Sequence, residues 1–108
     1  MVSDIQRFDI YLVKLNPTIG SEIQKTRPCI IVSPNEMNIL KTVIIAPMTS
    51  KGFDFIFRPK ITFENKEGLV LLDQIRTVDK TRLVKKIGSI DKTLSKEISS
   101  MLVKIFEY

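Results

Sequence analysis

Histidine is absent from the 108 residues, and cysteine occurs once. The first absence removes the usual serine triad, any histidine pair able to cleave RNA, and most zinc sites. The second leaves no internal disulfide, and Cys29, set in an apolar run with no imidazole to activate it, reads as a small core hydrophobe rather than a nucleophile. No apolar stretch approaches the length that crosses a bilayer, so no membrane partner is expected. No basic leader precedes an apolar segment and cleavage site, which makes the cytoplasm the expected location. A glycine-rich nucleotide loop and an internal repeat are also missing, which counts against mononucleotide-binding and solenoid folds. The acidic residues do not cluster in the way a two-metal nuclease requires. Asp73 and Asp79 are separated by Arg76 and a turn, so neither a metal nor any other cofactor is expected.

Basic charge, by contrast, is plentiful. Seventeen Lys and Arg against twelve Asp and Glu give a net charge of +5, which favours a polyanionic partner. Arg58, Lys60, Arg76, Lys80, Arg82, Lys85 and Lys86 recur around the proposed strands, where they can contact phosphates and position an RNA without reading it. Apolar residues make up 44% of the chain, enough for a core without staples, and residues 1–108 read as a single domain.

The chain reads mainly as short strands. Residues 9–15 form the first, with Tyr11, Val13 and Leu15 on one face, and Asn16-Pro17 stops it. A polar connection through Gly20, Ser21, Glu22, Gln24 and Lys25 forms a candidate flexible rim beside Arg27. Residues 29–33 and 42–48 give two further strands. Residues 55–63 give a fourth, expected at an edge or with a bulge because Pro59 has no amide hydrogen to offer. A hairpin turn at 65–68 leads into an apolar strand at 69–73, and residues 83–87 are extended. Leu94, Ile98, Met101, Leu102 and Ile105 then make one stripe of a helix, with Asp91 as its N-cap. Such an order predicts a mainly β fold with a C-terminal α-helix, a small, strongly curved antiparallel β-barrel.

The most informative segment is Thr26-Arg27-Pro28, running into the apolar Cys29 to Val32. Pro28 biases Arg27 toward an extended backbone, and a guanidinium held that way can meet a planar anion in a fixed orientation, or else make a structural ion pair. Without histidine or metal, RNA can still be cut if its own 2'-hydroxyl attacks the phosphorus. The protein must then align that oxygen, stabilise the crowded phosphorane and assist proton transfer. Arg27 offers a bidentate phosphate clamp, and Thr49, where the third strand enters a polar loop, offers a hydroxyl.

The ordered set Asp9-Ile10-Tyr11-Leu12-Val13, Asn16-Pro17 with Gly20-Ser21-Glu22, Thr26-Arg27-Pro28, Val32-Ser33-Pro34, Pro47-Met48-Thr49-Ser50 and Asp73-Gln74-Ile75-Arg76-Thr77 resembles the MazF/PemK family of toxin endoribonucleases over residues 4–107. The resemblance implies an SH3-like barrel that forms a homodimer and cuts single-stranded RNA, usually mRNA, at a short preferred sequence. It implies cleavage without metal that leaves a 2',3'-cyclic phosphate and a 5'-hydroxyl, with Arg27 and Thr49 as the catalytic pair. It also implies a MazE-like antitoxin as partner, with DNA reached indirectly through the antitoxin complex.

Supporting roles are open on the residues alone. Glu22 falls in the loop that the resemblance implies covers the RNA site, or is simply a solvated charge, and Gln74 presents its amide to a base, supports the catalytic residues or satisfies backbone groups. Asn16 reads as a turn residue before a ligand. Ser50 either supports Thr49 or caps the strand break, and Arg76 is a further candidate contact. Phe8 departs from the family pattern, which often has glycine just before Asp9. The competing reading of the whole chain is a noncatalytic barrel that binds nucleic acid or inhibits a protein.

Overall fold

The computed structural model describes residues 4–108; residues 1–3 of the expected domain lie outside the described residues. Seven strands and a helix follow in order: β1 (Asp9–Lys14), β2 (Thr26–Ile31), β3 (Thr42–Thr49), β4 (Lys60–Phe63), β5 (Lys66–Val70), β6 (Arg76–Asp79), β7 (Leu83–Ser89) and α1 (Lys92–Phe106). The sheet runs β4-β5-β3-β2-β1-β7, with β6 paired to the first half of β3. All pairings are antiparallel, and the sheet curls into a partly closed SH3-like barrel.

The central strands are apolar on both faces because a separate core lies on each side. Tyr11, Val13, Leu15, Cys29, Ile31, Val43 and Ile45 fill one core, with Ile5, Val78 and Leu83. Ile10, Ile30, Val32, Ala46 and Met48 take the opposite parity and meet Ile98, Leu94, Met101, Leu102 and Ile105 of α1 in the other. That explains the unbroken run from Cys29 to Val32: a strand covered on both faces need not alternate. Asp91 caps α1 as its residue type suggests, its carboxylate accepting from Leu94 N at 2.8 Å.

Four sequence expectations shift. The second strand begins at Thr26, ahead of residue 29, and Arg27 pairs with Val13 inside it. Pro28 is tolerated because β3 pairs with β2 only from Cys29 onward, so the proline has one neighbouring strand rather than two. The fourth strand shrinks to Lys60–Phe63. Residues 55–59 are irregular, and Pro59 contributes only its carbonyl, accepting from Val70 N at 2.9 Å. β4 does lie at the sheet edge. The hairpin turn sits at Glu64 and Asn65, both with positive φ (50° and 62°), rather than at 65–68. The following strand ends at Val70, giving way to a tight 3-10 turn over Leu72–Gln74, and β6 was not foreseen.

Candidate active site

Pairing register brings the principal candidates together. The last paired residues of β2 and β3 are Cys29 and Pro47, and continuing that register by two positions sets Arg27 against Thr49 where the strands part. Both line a pocket of about 210 Å³ with Pro28, Ser50, Glu67 and Gly68. Arg27 is half-buried, and its Nε donates to Gln24 O at 3.1 Å. Its two terminal nitrogens make no hydrogen bond to the described residues, so the fork remains available to an anion. The Thr49 hydroxyl oxygen accepts from Lys51 N at 3.1 Å, which orients the side chain at the strand end and leaves its proton to donate.

Gly68 is the residue that makes this arrangement fit. A Cβ built there would lie 2.6 Å from Thr49 O, so only glycine lets β5 approach the Thr49 backbone this closely. Gly68 lies inside β5, whereas the sequence reading places it in the turn at 65–68. Glu64, Lys66 and Glu67 also line the pocket, and sequence spacing did not single them out.

The remaining candidates gather around the loop of residues 16–25. Asn16 Oδ1 accepts from Lys25 N at 3.1 Å and from Thr18 Oγ1 at 3.3 Å, the turn role its residue type suggested. Glu22, an exposed residue, accepts from Ile19 N at 2.7 Å within its own loop. Gln74 Oε1 accepts from Ile23 N at 2.8 Å, and its Nε2 donates to Ser21 O at 3.3 Å. Its amide is therefore spent on backbone. Arg76 donates to Leu15 O at 3.1 Å, and Arg82 donates to Lys14 O at 3.0 Å. The expected flexible rim is thus fastened along one side by residues 74–82. The pocket holds Arg27, Thr49 and Ser50, while Asn16, Glu22, Gln74 and Arg76 act on the loop beside it.

The loop after Thr49 is fastened too. Arg58 donates to both Asp73 oxygens, Nε to Oδ1 at 2.9 Å and Nη2 to Oδ2 at 2.8 Å. Those bonds hold the Asp73 carboxyl below its usual range. Cys29, by contrast, is buried, and desolvation pushes its thiol up to about 12. Among the described residues no three His, Cys, Asp or Glu side chains converge as metal ligands.

The chain is similar to known proteins over almost its whole length. Residues 6–106 match the family described as "PemK-like, MazF-like toxin of type II toxin-antitoxin system". The chain is 34% identical over 110 residues to endoribonuclease PemK of Escherichia coli, covering 95% of this chain and 83% of that one. It is 31% identical over 105 residues to endoribonuclease MazF of Staphylococcus saprophyticus, covering 91% and 88%. The solved structure of MazF from Deinococcus radiodurans superposes with a TM-score of 0.84 at 19% identity, covering 96% of this chain and 97% of that one. Taken with the fold and the ordered motifs, these likenesses settle the family: the chain belongs to the PemK-like, MazF-like toxins of type II toxin-antitoxin systems.

Proposed function

We propose that this toxin is a metal-independent endoribonuclease that cuts single-stranded mRNA in the cytoplasm, working as a homodimer restrained by a MazE-like antitoxin. The observation that carries the reading is the register-set pairing of Arg27 with Thr49 in one pocket, in a chain matching the toxin family. Arg27 clamps the scissile phosphate with its free fork and stabilises charge on the phosphorane as the ribose 2'-hydroxyl attacks. A guanidinium offers donors and no acceptor, so its part is charge stabilisation rather than proton removal. Thr49 donates its hydroxyl proton to a phosphate oxygen or holds the attacking group in line. The P–O bond to the next nucleotide breaks, the 2'-hydroxyl proton passes to solvent and the departing 5'-oxygen takes one up from it, leaving a 2',3'-cyclic phosphate and a 5'-hydroxyl. The antitoxin supplies the link to DNA, and the basic surface suits an acidic antitoxin segment.

The test is cleavage of a mixed RNA panel in EDTA, with matched 2'-deoxy substrates and Arg27→Ala, mapping both product ends. RNA-only cutting with cyclic phosphate ends, reduced about 100-fold or more in the folded variant, is expected. RNA binding without cutting by the folded, antitoxin-free wild type would favour the noncatalytic module.

A further inference from the structure

Two neighbouring side chains on the Leu72–Gln74 turn reach in different directions, each to one of the two loops that flank the pocket. Gln74 takes the first loop, binding Ile23 N through Oε1 and Ser21 O through Nε2. Gln24, the residue after Ile23 in that loop, offers the carbonyl that receives Arg27 Nε. Asp73 takes the second loop through the two-pronged bond to Arg58. Arg58 and Thr49 both border Gly52 of that loop, with Arg58 Nη1 3.5 Å and Thr49 Cγ2 3.9 Å from where a Cβ would stand. The turn itself is fixed to the sheet, with Leu72 fully buried, Gln74 N donating to Leu71 O at 3.0 Å, and Leu71 N donating to Pro47 O at 2.8 Å on β3.

We propose that Asp73 and Gln74 are positioning residues working as a double clamp, Gln74 setting Arg27 through residues 21–24 and Asp73 setting Thr49 through Arg58 and the loop of residues 50–58. The proposal rests on the reading of Arg27 and Thr49 as the RNA-cleaving pair. Neither clamp residue lines the pocket that holds that pair. Their effect is geometric: strand register sets the two backbones against each other, and the turn restrains from one rigid point the loops that orient the two side chains. Small misplacements of catalytic groups carry large rate penalties, on the order of 100-fold for about 1 Å.

The experiment compares wild type with Asp73→Asn, Gln74→Ala, Gln74→Glu and the combination of Asp73→Asn with Gln74→Ala. Single-turnover cleavage of a short RNA is measured beside binding of its uncleavable 2'-deoxy analogue. Each single loss should slow cleavage by roughly 10- to 100-fold while affinity changes about threefold or less. Gln74→Glu keeps the acceptor for Ile23 N and loses the donor to Ser21 O, so it should recover part of the rate lost in Gln74→Ala. Amide hydrogen exchange supplies a readout independent of activity. Gln74→Ala should release the Ile23 amide and leave Lys51 protected, whereas Asp73→Asn should release Lys51, which donates to Thr49, and leave Ile23 protected. Unchanged cleavage, an affinity loss as large as the rate loss, or unaltered amides in folded variants would overturn the clamp. A wild type that cuts no RNA would remove the chemical role, and the two amides would still decide whether the turn holds the loops.

Discussion

Phe8 shows how much a single position can absorb. Its φ of 74° lies in the left-handed region, where a β-carbon costs about 1–2 kcal/mol and glycine would avoid the strain. Phe8 offsets that strain with backbone bonds to Ile31 O at 2.7 Å and from Ile90 N at 3.1 Å, and its ring packs at the margin of the helix-side core beneath Arg7. At the same scale, Thr49→Ala removes a hydroxyl but leaves the fold's cores intact. It should lower the single-turnover cleavage rate by about 100-fold with RNA affinity nearly unchanged, whereas a loss confined to affinity would contradict its chemical role. Cys29 offers a separate check. Its neutral thiol is stabilised by burial and ionises only as pH rises toward about 12, so thiolate is scarce at pH 8. Folded protein should therefore resist a thiol-reactive dye at pH 8 and react promptly once denaturant is added. Fast labelling of the native state would place the side chain outside the core.

Among the elements, the helix was the most legible, because a stripe of five apolar residues and a capping aspartate point to one answer. The early strands were legible as well, since their parity separates two cores that are both real. The hairpin was displaced because Gly68 drew the turn toward itself. The positive-φ positions fall instead on Glu64 and Asn65, and Gly68 is needed to admit the Thr49 carbonyl. β6 escaped notice because only Val78 of its four residues is buried, too little for a periodic signal. Arg27 and Thr49 were readable as residue types in context, but their meeting depends on register, and the Asp73 and Gln74 contacts depend on tertiary folding. Gly68→Ala is the element-scale test. The added methyl must push β5 away from β3, costing roughly 1–3 kcal/mol of stability. Cleavage should fall further than the fraction unfolded explains, and measuring rate together with chemical denaturation separates the two effects. Full activity in the alanine variant would show that the close approach is dispensable.

Over the whole molecule, the charge of +5 should govern how RNA is gathered before it is cut. Affinity for single-stranded RNA, followed by anisotropy with uncleavable 2'-deoxy-substituted substrate, should fall linearly in log-log form as salt rises, with a slope of roughly −0.7 per phosphate contact. A flat response would leave the basic surface without a part in substrate capture. The sheet's outer strands have a different consequence. β4 and β7 share no ladder of hydrogen bonds; they meet where Phe63 lies against Gly88, with the Phe63 ring 3.1 Å from where a Cβ would stand. β7 in turn pairs with β1, joining Asp9 to Ser89 across almost the whole chain. During synthesis, then, Arg27, Thr49 and Asp73 all leave the ribosome before the strand that closes the barrel and the helix that seals its second core. A nascent chain therefore holds the residues of the candidate site before it can shape the pocket around them, and the site waits on residues 83–106 to be assembled.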